Sequence, residues 1–266
     1  MSDWLGIRDK VYVVTGGSSG IGLAIVQSLL EQGAKVANFD IRDSDFQDEN
    51  LLFVETDVSS ALAVQDSVDR VIERFGTIDG LVNNAGINLP SLLVDAAQPQ
   101  GTYELDEAKF DKMVGINIKG LFFVSQAVAR ILVAKKEGVI INMASEAGLE
   151  GSEGQSIYAA TKGAVYSLTR SWAKELAKHQ IRVVGIAPGI MEATGLRTPA
   201  YESALAYTRG KTVEELRAGY SNTSTIPLGR SGRLSEVADL VCYYLSDRAS
   251  YITGVTTNVA GGKTRG

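Results

Sequence analysis

The chain has 266 residues, of which 45% are hydrophobic and 21% charged, an ordinary globular composition. A formal net charge of −5 and the lack of any long basic run speak against nucleic acid as a partner. One cysteine, Cys242, and one histidine, His179, exclude an intrachain disulfide and a Cys- or His-rich metal site, so no metal is expected.

The first residues, "MSDWLGIRDKVYVVTGG", lack a long apolar stretch before a small-residue cleavage site. No segment is expected to reach the ~18 apolar residues of a membrane span. The expectation is a cytoplasmic protein without a membrane partner.

The first strand, "VYVVTG", runs into "GGSSGIG" and a helix, "IGLAIVQSLLEQGA". Gly16, Gly20 and Gly22 stand four and two apart, so the G-x-G-x-x-G spacing is not met. Glycine still lets backbone approach a pyrophosphate at a helix N-terminus. The second strand, "KVANFD", ends at Asp40, eighteen residues after Gly22. A carboxylate there can accept hydrogen bonds from ribose hydroxyls and would repel the extra phosphate of NADP. Arg42 is near but faces Asp43 and Asp45, and Ser18 and Ser19 add no positive charge. The preference is NAD.

Further runs, "LLFVET", "GLVNNAG", "GVIINMAS", "IRVVGIAPG" and "GVTTNVAGG", read as buried strands. Between them "ALAVQDSVDRVIERFG", "FDKMVGINIKGLFFVSQAVARILVAKKEG", "YAATKGAVYSLTRSWAKELAKHQ" and "LSEVADLVCYYLSD" read as helices. This alternation predicts an α/β fold: a doubly wound, Rossmann-like parallel sheet of seven strands with helices on both faces. The chain reads as one domain, 1–266. Residues 190–230 are too long for an ordinary connection and are expected to form a substrate-binding loop with short helices of its own. "GGKTRG" and "RGKT" lack the spacing and context of a phosphate-binding P-loop. Asn117 sits in an apolar helix where Asn is a mediocre former; it could bond a backbone carbonyl and distort the helix. Tyr158 and Lys162, four apart, share a helix face, a spacing that by itself usually means a surface contact.

Taken in order, "TGGSSGIG", Asp40, "TDV" (56–58), "NNAG" (83–86), Asn117, Ser145, "YAATK" and "PG" (188–189) resemble the short-chain dehydrogenase/reductase family over essentially the full chain. The resemblance implies that Tyr158 is the acid/base, Lys162 its modulator and a ligand of the nicotinamide ribose, both of them also in the cofactor site, Ser145 the group holding the reacting oxygen and Asn117 part of a proton relay. It places Gly16, Ser19, Gly20, Ile21 and Gly22 at the pyrophosphate, and Asp40 and Ile41 at the ribose. It places Asp57 and Val58 at the adenine, Asn84, Ala85 and Gly86 at the middle of the cofactor, and Pro188 and Gly189 in the same site. Family members often carry Thr five residues after the Pro of "PG". Here that position is Ala193 and Thr194 follows, which leaves a nicotinamide contact by Thr194 open. The family works without a catalytic metal, and its common oligomers imply a homotetramer.

The residue types suit the chemistry. A free phenol titrates near pH ~10, and a neighbouring ammonium and a positive nicotinamide both favour phenolate. Ser145 can bond the substrate oxygen as it changes between alcohol and carbonyl. Within the family, "NNAGINLP", "SEAGLEGSEGQSIYAATK", the 190–220 segment and "AGGKTRG" resemble dehydrogenases of sugar-alcohol phosphates. That implies a sugar-alcohol phosphate as substrate. Glu153 and Gln155 precede Tyr158 and could bond its hydroxyls. Arg197, Arg209, Lys211, Lys263 and Arg265 could supply a cation for its phosphate, Arg197 first. The alternatives are an NAD-linked dehydrogenase of another polyol, secondary alcohol or hydroxysteroid, a ketoacyl reductase, or a non-catalytic NAD sensor.

Overall fold

The structure is a computed structural model that describes residues 3–220 and 222–263. Arg265 lies outside the described residues. Seven strands form: β1 (Val11–Thr15), β2 (Lys35–Asp40), β3 (Leu51–Glu55), β4 (Gly80–Asn83), β5 (Gly138–Met143), β6 (Ile181–Pro188) and β7 (Thr256–Val259). Every neighbouring pair is parallel, in the order β3-β2-β1-β4-β5-β6-β7.

Successive strand residues face opposite sides, and the core divides accordingly. Val14, Ile141, Val184 and Ile186 pack with Ile25 and Leu29 of α1 (Gly20–Glu31) and with Val237 and Val241 of the last helix, Leu234–Leu245. Val13, Ile140 and Val183 face Val64, Val68 and Val71 of α2 (Ala61–Phe75) and the Val124, Val128 and Leu132 stripe of Leu121–Lys135. Each layer buries fully apolar strand residues, which is why these runs lack polar alternation.

Two regions depart from the sequence reading, and a third, 190–230, carries the short helices expected of it. The single helix expected over 110–138 is α3 (Glu107–Val114), a π-helical turn (Gly115–Gly120) and α4 (Leu121–Lys135). By length and composition Glu107–Lys135 could cross a membrane, so the expectation that no segment reaches that limit was too strict. Here 44% of its most apolar window is buried, and Val124, Val128 and Leu132 lie on the sheet. Second, a turn of helix, α5 (Ala147–Glu150), precedes α6 (Ser156–Leu176). Third, the 190–230 segment holds α7 (Pro199–Thr208) and α8 (Val213–Tyr220), ahead of α9 (Leu234–Leu245). Leu205, Ala206 and Leu216 give α7 and α8 a small core of their own. Pro at the start of α7 and the Thr198 hydroxyl, accepting from the Tyr201 amide at 3.1 Å, fix where α7 begins.

Candidate active site

The strand order reverses direction between β1 and β4, and ligands of open α/β sheets bind at the carboxyl ends of strands at such a point. The Gly-rich turn sits there. Gly16 takes φ +67, and a Cβ on it would press on Ala85 and Asn84. A Cβ on Gly22 would overlap the Gly16 carbonyl oxygen. These glycines therefore leave a backbone cradle at the N-terminus of α1, whose first turn carries no acid. Ser19 is the N-cap residue of α1 and makes no side-chain cap bond. Thr194 lies directly over Gly20, 3.2 Å from where a Cβ would be, which brings it to the cradle.

Asp40 closes β2 beside this turn. Its carboxylate accepts from the amides of Ser18 (3.0 Å), Ile41 (2.7 Å) and Arg42 (3.4 Å). The Arg42 side chain makes no ion pair with it, so the negative charge remains available to a diol. Asp57 accepts from the Ser59 amide and hydroxyl. Val58 is buried, with its side chain beneath Gly120 of the π-helical turn.

Tyr158 and Lys162 lie on the first turns of α6, with the Lys162 ammonium 5.9 Å from the Tyr158 ring centroid. Lys162 is buried and donates to the Met143 carbonyl at 2.7 Å. Burial pulls its pKa down to about 8. Burial also pushes the Tyr158 phenol up to about 12; a hydrogen bond from Ser145 works the other way, and Tyr201 and Glu146 add to the rise. In the protein alone burial thus opposes phenolate formation, which leaves to the positive nicotinamide the part that the sequence reading gave it beside Lys162.

Asn117 sits on the π-helical turn. Its side-chain amide accepts from the Ile87 amide at 2.8 Å and donates to the Ile87 carbonyl at 2.9 Å and to the Thr161 hydroxyl at 3.0 Å. The bland alternative, a backbone bond and a distorted helix, is therefore realised, and at the site itself. A Cβ on Gly86 would stand 3.3 Å from Asn117 Oδ1 and 3.6 Å from Lys162 Nζ. The glycine leaves room between the relay Asn117 and Lys162 that a side chain would narrow.

A cleft of about 550 Å³ joins these parts, lined by Ser145, Tyr158, Lys162, Pro188, Gly189, Thr194 and Arg197 among others. A second cleft, about 290 Å³, lies at the amino ends of the strands around Tyr12 and Arg182 and holds none of these residues. Gln155 is buried in the larger cleft and donates to the Tyr201 hydroxyl at 3.1 Å. Glu153 is exposed and does not line it, which corrects its assignment to the substrate. Gly151 and Gly154, both at φ +72, turn the chain so that Gln155 points in and Glu153 out.

Several contributors were missed in the sequence. Thr15, buried at the end of β1, accepts from the amides of Asn84 (3.0 Å) and Ala85 (2.9 Å). Asn84 in turn donates to the Thr15 and Gly16 carbonyls. Asn38 accepts from the Gly17 amide at 2.9 Å and donates to the Ser18 hydroxyl. A polar residue inside an apolar strand was the available signal for both. Tyr201 was unmarked because nothing local shows that α7 turns it inward.

The family model described as short chain dehydrogenase matches residues 10–204. The sorbitol-6-phosphate 2-dehydrogenase of Klebsiella pneumoniae is 64% identical over 268 residues, covering 100% of both chains. A 3-oxoacyl-[acyl-carrier-protein] reductase of Thermotoga maritima is 36% identical, covering 96% of this chain and 98% of its own. Among solved structures, the 3-ketoacyl-(acyl-carrier-protein) reductase of Brucella melitensis, complexed with NADH, superposes with a TM-score of 0.82 at 28% identity, covering 98% of this chain and 100% of its own. With a Tyr–Lys pair one helical turn apart below a glycine cradle at the sheet's switch point, and with likeness running from end to end, the chain belongs to the short chain dehydrogenase family.

Proposed function

We propose that the protein oxidises sorbitol 6-phosphate to fructose 6-phosphate with NAD. The observation that carries this reading is the 64% identity to a sorbitol-6-phosphate 2-dehydrogenase along the entire chain, the 190–230 segment included. The cradle supports a dinucleotide: Gly16, Gly20 and Gly22 admit a pyrophosphate near Ser19 and Ile21, and Asp40 with Ile41 meets the adenosine ribose. By family likeness Asp57 and Val58 would border the adenine and Asn84, Ala85 and Gly86 the middle of the cofactor, while Pro188, Gly189 and Thr194, which line the cleft, would hold the nicotinamide end. Among the described residues no basic side chain pairs with Asp40, which favours NAD over NADP.

NAD, when bound, accepts the hydride released from C2 of the polyol. The chain's residues do the rest. Ser145 holds the C2 oxygen beside Tyr158. Tyr158, as phenolate, takes the hydroxyl proton while C2 becomes a carbonyl. Lys162, kept in place by the Met143 carbonyl, stabilises the phenolate, and Asn117 orders the path by which the proton leaves. Gln155 and Tyr201 bond the remaining hydroxyls. The substrate and NAD are both charged molecules that do not cross membranes unaided, which fits a cytoplasmic enzyme. Family likeness supports a homotetramer.

Steady-state assays of NADH formation test the reading, with sorbitol 6-phosphate and plain sorbitol side by side and NADP in parallel. Turnover confined to the phosphorylated polyol and NAD is expected. Equal or better turnover of plain polyols, or of NADP, would overturn it.

A further inference from the structure

The proposed substrate carries a dianion, and the cleft must meet it somewhere. We propose that Arg197 and Arg209, with the Tyr220 hydroxyl as a third donor, form a two-armed clamp for the phosphate of an open-chain polyol phosphate. This rests on the sugar-alcohol phosphate reading above and assigns which cations serve it.

The charges around the cleft are unequally committed. Lys263 is held by Glu146 at 2.5 Å, with Glu150 at 3.9 Å. Glu192 accepts from the Leu234 amide at 2.8 Å. Buried Glu202, next to Tyr201, is engaged by Arg217 through two N–H groups at 2.9 and 2.7 Å. Among the described residues Arg197, Arg209 and Lys211, by contrast, enter no ion pair, and of the three only the two arginines have side chains fixed by a hydrogen bond.

Both guanidinium groups are nevertheless positioned. Arg197 stacks on the Tyr220 ring at 4.0 Å and donates one N–H to the Met191 carbonyl at 2.9 Å. Stacking occupies the face of the group and leaves its edge, where most of its five donors lie. Arg209 reaches across the cleft mouth to the Ser152 hydroxyl at 3.3 Å. The Tyr220 hydroxyl is buried and has no hydrogen-bond partner among the described residues. Two fork-shaped cations and an orphaned donor in one cleft make an anion site.

The position also suits the reaction. Tyr201 links the two regions: its hydroxyl accepts from Gln155, three residues before Tyr158, and it lines the same cleft as Arg197 and Arg209. A six-carbon polyol oxidised at C2 has its phosphate four carbons away, so the anion must sit away from Tyr158 and not beside it. Arg197 and Arg209 flank the two ends of α7, so a bound phosphate would also fasten that helix over the cleft.

The test compares wild type with Arg197→Gln, Arg209→Gln, Lys211→Gln and Lys263→Gln. Either arginine change is expected to raise KM for sorbitol 6-phosphate by roughly tenfold to a hundredfold, with NADH affinity by fluorescence titration within about twofold as the check on folding. Inorganic phosphate should compete with the substrate in wild type and far less in the arginine variants. Arg→Lys at either position should rescue only partly, because a lysine presents no fork. An unchanged KM in both arginine variants, or a loss carried by Lys211→Gln or Lys263→Gln instead, would overturn the clamp. A wild type without preference for the phosphorylated polyol would instead sink the substrate reading. The clamp is then decided by phosphate binding in calorimetry, present in wild type and lost in the arginine variants if it exists.

Discussion

At Tyr158 and Lys162 the fold holds two groups away from their ordinary ionisation, both because of burial. For the phenol the consequence is catalytic. Tyr158→Phe removes the proton acceptor and leaves the cradle intact, so turnover should fall by at least about a thousandfold while NADH still binds. A non-catalytic sensor would lose nothing, and fluorescence titration beside the turnover assay separates the two. For the lysine the consequence is energetic. Its pKa falls from 10.5 to about 8, so between these values the unfolded chain binds more protons than the folded one. Stability therefore rises with pH across that window, and the full penalty, about 3 kcal/mol, applies below it. Lys162→Met loses the bond to Met143, worth about 1 kcal/mol, and escapes the penalty. The variant should be inactive yet more stable at pH ~7 by about 2 kcal/mol, with the advantage gone by pH ~10.5. Urea unfolding at both pH values checks this; a variant less stable than wild type at neutral pH would refute it. Asp40→Asn keeps an acceptor for the Ser18 and Ile41 amides and removes the charge. The ratio of kcat/KM for NADP over NAD should then rise roughly tenfold, measured in parallel assays. No change would mean that Asp40 does not set the preference.

Among the elements, the connections, and not the strands, decide what the site can hold. The turn at 151–155 joins three of them. A Cβ on Gly154 would run into Thr208 of α7, and the Gly154 carbonyl accepts from the Ser91 amide at 2.7 Å. With φ at +72, Gly154→Ala also forces a left-handed residue at a cost of about 1–2 kcal/mol. The substitution should push α7 outward and raise KM for the polyol phosphate severalfold while NADH affinity holds. A fall in NADH affinity instead would mean that the turn supports the cradle. These connections were also where the sequence was hardest to read. Periodicity read 110–138 as one helix because the π-helical turn keeps the apolar stripe; Asn117 was the one sign of a distortion, and its bonds to Ile87 show where it falls. Residues 190–230 stood out by length, but their two helices share a small private core and carry no long stripe. Glu153 looked like a sugar ligand and Tyr201 did not, since the direction of each is set by glycine turns and helix packing beyond local sequence.

For the whole molecule, the seven strands and their parallel arrangement were legible because buried strands leave uninterrupted apolar runs between glycine-marked junctions. The Gly turn, Asp40, Ser145, Tyr158 and Lys162 were legible as motifs. Thr15 and Asn38, which tie the loops after β4 and β1 together, were not, since a polar residue in a strand does not say what it bonds. These ties make the cradle part of the core: Gly16 is anchored to the Phe39 carbonyl, and Asn84 to both Thr15 and Gly16. A dinucleotide gripped there is gripped by β1, β2 and β4 at once, so its binding should stabilise the molecule globally. At a NADH concentration of about 100 Kd the gain is about 2.7 kcal/mol, which for a chain of this size should raise Tm by roughly 5–10 °C. Tyr158→Phe should show the same shift, because it leaves the cradle alone, and Asn38→Ala should show a smaller one. A thermal melt with and without NADH measures it. A Tm that does not respond to the cofactor in wild type would mean that the cradle does not hold a dinucleotide, and an equal shift in Asn38→Ala would mean that the tie from β2 to the turn plays no part in holding it.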